Sequence, residues 1–150
     1  MAAILEDSKM PIRVLFLCTG NSCRSQMGEG LLRKLGGEAF EAFSAGTKPA
    51  ERVHPLAVAT MAERGIDLSG HTPKLLNAFA GQTFDLLITT CDSAKEECPY
   101  YPAARERLHW SLPDPAAATG TDEEVRAAFR AVADDLECRI RELTARPFDR

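Results

Sequence analysis

Short apolar runs alternate with stretches of helical periodicity along most of the chain. Runs of this length, rich in aliphatic and aromatic residues, are typical of strands. Four strands are predicted, over residues 13–17, 41–45, 84–90 and 107–110. Because helical patterns separate them, we expect the strands to pair in parallel and the helices to cover the sheet.

Four helices are predicted between and after these strands. The first covers residues 24–34, the second residues 54–64, and a short third residues 73–79. The last begins at a capping box formed by Thr121 and Glu124. Its buried face follows from apolar residues at steps of three and four, namely Val125, Phe129, Val132, Leu136, Ile140 and Leu143.

This order of elements predicts an α/β protein with a small flavodoxin-like, three-layer fold. We expect a central four-stranded parallel sheet with helices on both faces and an anion-binding loop after the first strand. Ligands of such folds bind beyond the carboxyl ends of the strands. The loop after the first strand is therefore the first candidate for a functional site.

Length and composition limit the classes of function. The 150 residues fit one domain, which we expect over residues 12–150, after a flexible leader over residues 1–11. The net charge of −4 argues against nucleic acid as a partner. No apolar run is long enough for a membrane span, and no signal peptide is visible. We therefore expect a cytoplasmic monomer whose five cysteines remain reduced.

The eight residues CTGNSCRS join the first predicted strand to the first predicted helix. Backbone N–H groups at such a junction can surround an anion. Gly20 allows close approach, and Arg24 adds a planar cationic fork. Cys18 is the candidate nucleophile, with Ser25 able to donate to its thiolate. The predicted oxyanion-binding residues are Thr19, Gly20, Asn21, Ser22, Cys23 and Arg24.

The same eight residues resemble the C-x5-R-S loop of the low-molecular-weight protein tyrosine phosphatase superfamily. The longer run CTGNSCRSQM is most similar to the arsenate reductase branch, and the second cysteine pair described below resembles its thioredoxin-coupled type. Further similarity lies in the segments FSAGT, HTPK, CDSAKEECP and WSLPDPA. The resemblance implies that Cys18 attacks the oxyanion, that Arg24 and the loop amides bind it, and that Ser25 tunes the thiolate. It also implies that Asp114 is the general acid, a role that suits a carboxyl group between two prolines.

A second pair of thiols, Cys91 and Cys98, distinguishes a reductase from a phosphatase. Reducing arsenate consumes two electrons, which a dithiol supplies when it becomes a disulfide. Cys91 follows a predicted parallel strand and is expected at the same sheet edge as Cys18. The resemblance implies that Cys18 attacks arsenate, that Cys91 then attacks Cys18, and that Cys98 finally attacks Cys91. Thioredoxin is the implied reductant, and no bound cofactor is expected.

Two other functions remain open. A low-molecular-weight tyrosine phosphatase would share the loop and Asp114, although Gln26 stands where those phosphatases usually have proline. Phosphate is a competing oxyanion, and weak phosphatase side activity is compatible with the loop. A non-catalytic oxyanion sensor or redox-signalling module is the second alternative. The spacing C-x6-C does not suit a structural zinc site, so no metal site is predicted.

The remaining cysteines and a cation site complete the predictions. Cys23 is expected to pack the loop, with a protective disulfide to Cys18 as the alternative, and Cys138 has no assigned role. Some thioredoxin-linked relatives bind potassium through an Asn, a Glu, a Ser and an Asp. Asn21, Glu29 and Ser44 match three of these positions, but Lys74 stands at the fourth. We expect Lys74 to pair with Glu29 in place of the ion.

Overall fold

The computed structural model describes residues 10–92 and 104–148. The strands are β1 (Ile12–Cys18), β2 (Phe40–Gly46), β3 (Phe84–Thr89) and β4 (Ala104–His109). The α-helices are α1 (Arg24–Gly36), α2 (Pro55–Ala62) and α3 (Asp122–Ala145), and short 3-10 turns occupy Gly37–Ala39, Leu76–Phe79 and Pro115–Ala117. Cys98 and most of the predicted leader, residues 1–9, lie outside the described residues.

The four strands form one parallel sheet in the order β2-β1-β3-β4, so the predicted α/β fold class is confirmed. The register brings the carboxyl ends of the strands into one row. Cys18 pairs with Gly46, Leu17 with Thr89, and Thr89 with His109. Residues that follow these positions therefore meet at one edge of the sheet, where ligands of such folds bind.

Alternate residues of β1 contribute to two separate cores. Val14 and Phe16 belong to the larger core, which all three α-helices share. Its fully buried helical members include Met27, Leu31, Met61, Phe129 and Leu136. Leu15 and Leu17 belong to a smaller core on the other face, together with Phe79, Phe84 and Leu87. A strand that is buried on both faces is a central strand of a covered parallel sheet.

The last helix follows its prediction closely. Thr121 Oγ1 accepts the N–H of Glu124 over 3.1 Å, and Glu124 Oε1 accepts the N–H of Thr121 over 3.2 Å. This capping box satisfies amide groups that the first turn leaves without helical partners. The predicted apolar face is buried, apart from Val125 at its start, which is half-buried. Among the described residues, no helix combines the length and apolarity needed to cross a bilayer.

The larger differences from the predicted bounds concern three elements. Helix α2 ends at Ala62, and Gly65, with a φ of 78°, turns the chain away from it. The predicted helix over residues 73–79 is only the 3-10 turn Leu76–Phe79, because Leu75 is extended and forms a parallel bridge with Gly46. Strand β4 begins at residue 104, three residues before the predicted start, and ends one residue earlier.

Candidate active site

The loop after β1 is held by the backbone of the segment that follows β2. Four of its carbonyls accept hydrogen bonds, Cys18 O from Thr47 N (3.2 Å), Thr19 O from Lys48 N (2.9 Å), Gly20 O from Ala50 N (2.9 Å) and Ser22 O from His54 N (2.9 Å). In a planar peptide the C=O and the following N–H point in opposite directions. The loop N–H groups that follow these carbonyls therefore point away from this segment, and the N–H of Asn21 points at Cys18 Sγ over 3.1 Å. Convergent amides of this kind suit an oxyanion.

The thiol of Cys18 is buried, and two groups lie against its sulfur. Ser25 Oγ is 2.8 Å from Cys18 Sγ, and the N–H of Asn21 is the second group. Asn21 Nδ2 donates to Ser25 Oγ over 2.8 Å, so the hydroxyl proton of Ser25 is left to point at the sulfur. Donors aimed at a sulfur stabilise a thiolate, which is the nucleophilic form.

Asn21 joins the loop to two other parts of the chain. Its φ of 50° lies in the left-handed region, which asparagine tolerates better than most residues. Its Oδ1 accepts from Gln26 Nε2 over 3.1 Å and from the N–H of Lys74 over 2.8 Å. Gln26 also donates to Thr72 O over 3.2 Å, and its Oε1 lies 2.9 Å from His71 Nδ1. This buried network fixes a backbone conformation that would otherwise be strained.

Gly46, at the carboxyl end of β2, allows the loop to lie against that strand. A Cβ atom at this position would stand 2.5 Å from Thr19 O and 3.0 Å from Asn21 N. Both are backbone atoms, so a side chain here would displace the loop itself. Gly46 is not among the site residues predicted from the sequence. The signal was its place in the segment FSAGT, at the end of a predicted strand.

Arg24 and Asp114 lie on one side of the loop. Arg24 Nη1 donates to Leu112 O over 3.0 Å, and Nη2 is 4.0 Å from Asp114 Oδ1. The Nε of Arg24 is buried and has no hydrogen-bond partner among the described residues. Asp114 Oδ1 accepts the N–H of Ala116 over 3.0 Å, and its side chain is about half exposed. The unpaired Nε of Arg24 is suited to bind an oxyanion. The accessible carboxyl group of Asp114 is suited to give a proton to a group that leaves that oxyanion.

Helix α1 adds to this positive field. It begins at Arg24, directly after the loop, and has no side-chain hydrogen bond at its N-cap. Its first turn also contains no acidic residue. The free amide groups and the positive end of the helix dipole therefore face the same site as the loop amides.

Cys91 lies at the same sheet edge as Cys18. It comes two residues after β3, where Thr90 N and Thr90 Oγ1 both donate to Leu17 O, over 2.8 Å and 3.0 Å. Cys91 is buried, and its Sγ is 3.4 Å from Thr19 Oγ1 in the loop. The structure thus brings Cys91 to the loop, whereas the predicted role of Cys98 falls outside the described residues.

The other two described cysteines have different surroundings. Cys23 is buried, and burial raises the pKa of its thiol from 9.0 to about 11. It is a free thiol packed in the larger core, as is expected of a residue that packs the loop, and no disulfide joins it to Cys18. Cys138 is a free, exposed thiol on α3, far from the loop in sequence.

The expected pair between Lys74 and Glu29 is wrong. Lys74 Nζ instead donates to Thr72 O over 3.0 Å. Glu29 is buried and pairs with Arg33, with 2.7 Å between Oε2 and Nη2. These two residues are one helical turn apart on α1. From the HTPK segment it is His71, with Nδ1 3.7 Å from Glu29 Oε2, and not Lys74 that lies near this carboxylate.

The neighbouring oxygens do not fit a potassium ion. Asn21 Oδ1 already accepts two N–H groups, and Ser44 Oγ donates to Glu29 Oε1 over 2.6 Å. The Arg33 guanidinium takes the other oxygen of Glu29. A cation would have to displace these donors and lie beside an existing positive charge.

Comparisons with known proteins agree with this geometry. Residues 13–147 match the family model described as low molecular weight phosphotyrosine protein phosphatase. An arsenate reductase of Halalkalibacterium halodurans is 47% identical over 128 residues, which are 85% of this chain and 91% of that protein.

Solved structures show the same fold. An arsenate reductase in the phosphate binding state has a TM-score of 0.73 and 34% identity, covering 89% of this chain and 97% of that one. A thioredoxin-dependent arsenate reductase of Corynebacterium glutamicum has a TM-score of 0.66 and 31% identity, covering 95% of this chain and 65% of that one. Sequence and fold lead to one conclusion: the chain belongs to the low molecular weight phosphotyrosine protein phosphatase family.

Proposed function

We propose that this protein reduces arsenate to arsenite, with Cys18 as nucleophile and with Cys91 and Cys98 completing a thiol relay. The observation that carries the proposal is the second buried thiol, since Cys91 Sγ lies 3.4 Å from Thr19 of the loop that surrounds Cys18. Hydrolysis of a phosphate ester needs one thiol and water. A second thiol beside the same loop is what a two-electron reduction needs in addition.

The first step in this mechanism is attack by the Cys18 thiolate on arsenic(V). A sulfur–arsenic bond forms and one arsenic–oxygen bond breaks. The departing oxygen takes a proton from Asp114 and leaves as water. The loop amides and Arg24 stabilise the negative charge on the remaining oxygens, and the unpaired Nε of Arg24 is available for this purpose.

The second step transfers the electrons. The Cys91 thiolate attacks Cys18 Sγ, a disulfide forms, and the sulfur–arsenic bond breaks with its electron pair left on arsenic. Arsenic(V) becomes arsenic(III), which departs as arsenite. Cys98 then attacks Cys91, so that Cys18 leaves as a thiolate and a Cys91–Cys98 disulfide remains.

Thioredoxin is the proposed reductant for that disulfide, because its own dithiol can accept the oxidation. The structural relative from Corynebacterium glutamicum, itself named thioredoxin-dependent, supports this assignment by similarity. We propose that the reaction needs no bound cofactor. Phosphate resembles arsenate in shape and charge, so it is expected to compete at the loop, and an aryl phosphate is expected to be cleaved slowly.

Coupled turnover tests the proposal. Arsenate-dependent NADPH oxidation is measured with thioredoxin and thioredoxin reductase, for the parent protein, Cys91→Ser and Cys98→Ser, with p-nitrophenyl phosphate hydrolysis alongside. We expect steady arsenate turnover only in the parent and aryl phosphate hydrolysis in all three. Aryl phosphate hydrolysis without arsenate turnover in the parent would identify a phosphatase and exclude the relay.

A further inference from the structure

The last residue of β4 holds the chain on both sides of Cys91. His109 Nδ1 is 2.7 Å from Thr89 Oγ1, and His109 Nε2 is 2.8 Å from Asp92 Oδ1. Ser111 Oγ donates to the same Asp92 oxygen over 3.1 Å. Thr89 precedes Cys91 by two residues and Asp92 follows it directly. The imidazole ring therefore bridges the short segment that carries the thiol.

The two contacts of His109 differ in what they require. Thr89 and His109 are register partners in the sheet, so this contact follows from strand pairing. The contact with Asp92 requires the chain to turn back over the end of β4 directly after Cys91. Its carboxylate makes the hydrogen bond charge-assisted and therefore stronger than a neutral one. The Asp92 side chain is 73% exposed while that of His109 is 19% exposed, so the imidazole is the fixed partner and the carboxylate the releasable one.

We propose that His109, acting through Asp92, is a positioning residue that keeps the Cys91 sulfur beside the loop. The proposal rests on the proposed function, in which the Cys91 thiolate attacks Cys18 Sγ, forming the disulfide as the sulfur–arsenic bond breaks. That attack needs the Cys91 sulfur at the loop when the arsenic adduct forms. Without the charge-assisted His109–Asp92 contact, the residue after Cys91 is held less firmly, and the thiol spends more time away from the loop.

Alkylation of the reduced protein, without arsenate, tests the positioning directly. Iodoacetamide labelling of each cysteine is followed by peptide mass spectrometry, and the exposed Cys138 serves as the internal standard. In His109→Ala and Asp92→Ala we expect Cys91 labelling to accelerate roughly tenfold, because local opening exposes the thiol. Asp92→Asn keeps a side-chain oxygen that can accept the hydrogen bonds of His109 and Ser111, so Cys91 should be labelled almost as slowly as in the parent.

A distant variant separates local release from general instability. Thr121→Ala removes the capping box of α3 and destabilises the fold without touching Cys91, so its Cys91 labelling should match that of the parent. Equal labelling in His109→Ala and the parent would overturn the proposal. So would acceleration in Thr121→Ala equal to that in His109→Ala.

Turnover adds a functional readout. In His109→Ala we expect arsenate kcat to fall, because it follows the fraction of protein whose Cys91 thiol is at the loop, with KM for arsenate and aryl phosphate hydrolysis unchanged. An equal fall in aryl phosphate hydrolysis would overturn the positioning role, since the loop would then be damaged as well. If the parent fails to reduce arsenate, the proposed function fails, whereas the labelling comparison still decides whether His109 holds Cys91.

Discussion

Around Cys18 the contacts come from backbone and buried side chains, whereas the residue that follows Cys91 is held by side-chain contacts that reach the surface. The Cys18 loop has four of its carbonyls bonded to the segment after β2, and Asn21 is completely buried within it. Beside Cys91, the carboxylate of Asp92 is largely exposed and bonds to His109 and Ser111. This difference suits the two proposed roles. A nucleophile that binds an oxyanion gains from a fixed loop, while a thiol that attacks one cysteine and is then attacked by another must be held and later released.

The largest effect is expected from Gly46→Ala, which disturbs the fixed loop around Cys18. The new Cβ would stand 2.5 Å from Thr19 O, so the loop must shift. We expect a loss of about 3 kcal/mol in the free energy of unfolding and roughly a hundredfold loss of turnover with both arsenate and aryl phosphate.

Gly70→Ala is the matched control. A Cβ there meets no heavy atom within 4 Å, so stability and turnover should stay at the parent level. Urea unfolding and the two assays measure both quantities. Full activity in Gly46→Ala would show that the loop can shift without cost.

The next effect concerns Asn21, which combines a buried polar network with a φ of 50°. Asn21→Ala loses the hydrogen bonds and keeps the unfavourable φ, and should destabilise the protein by roughly 2–4 kcal/mol. Asn21→Gly loses the same bonds but tolerates the φ, and should be about 1 kcal/mol more stable than the alanine variant.

Both Asn21 variants should lose turnover alike, because the position of Ser25 depends on the side chain. Unfolding midpoints and aryl phosphate kinetics provide the comparison. Equal stability of the two variants would show that the backbone at this position is not strained. Normal activity in either variant would show that the hydrogen-bond network is not needed for turnover.

A smaller effect is expected from Cys23, whose buried thiol has its pKa raised to about 11. Between the unfolded value of 9.0 and about 11, the folded protein holds one proton more than the unfolded chain. Stability must therefore fall as pH rises through this range, by up to about 2 kcal/mol.

In Cys23→Ala this part of the pH dependence should be absent. Chemical unfolding at pH 8, 9, 10 and 11 in parent and variant gives the two slopes, and their difference cancels the other titrating groups. Parallel slopes would contradict a buried, neutral Cys23.

The smallest expected effect is the response to potassium. Since Arg33 already neutralises Glu29, arsenate turnover in potassium chloride and in sodium chloride should agree at matched ionic strength. Clear stimulation by potassium would show that the ion displaces the internal pairs.

The surroundings of Cys18 could largely be predicted from the sequence, whereas the contacts that hold the residue after Cys91 could not. The strand, loop and helix around Cys18 are consecutive in sequence, so local patterns place Ser25 and Arg24 near the thiol. His109 meets Thr89 and Asp92 across 20 and 17 residues, and only strand order decides that contact. The sequence places this histidine on a predicted strand, over residues 107–110, but periodicity does not report which polar side chains meet.

The error at Lys74 has a similar cause. Its backbone does lie at the loop, where its N–H donates to Asn21 Oδ1. The side chain, however, turns to the carbonyl of Thr72, and Glu29 takes the nearer Arg33 on its own helix. Alignment of a motif locates the backbone, whereas the direction of a long side chain depends on local competition for partners.

A single-turnover trap shows whether two thiols at one sheet edge perform the reduction. Reduced Cys98→Ser protein is mixed with one equivalent of arsenate without thioredoxin, and arsenite and disulfide-linked peptides are then quantified. We expect one arsenite per chain and a disulfide between Cys18 and Cys91. Absence of arsenite, or a disulfide between Cys18 and Cys23, would contradict it.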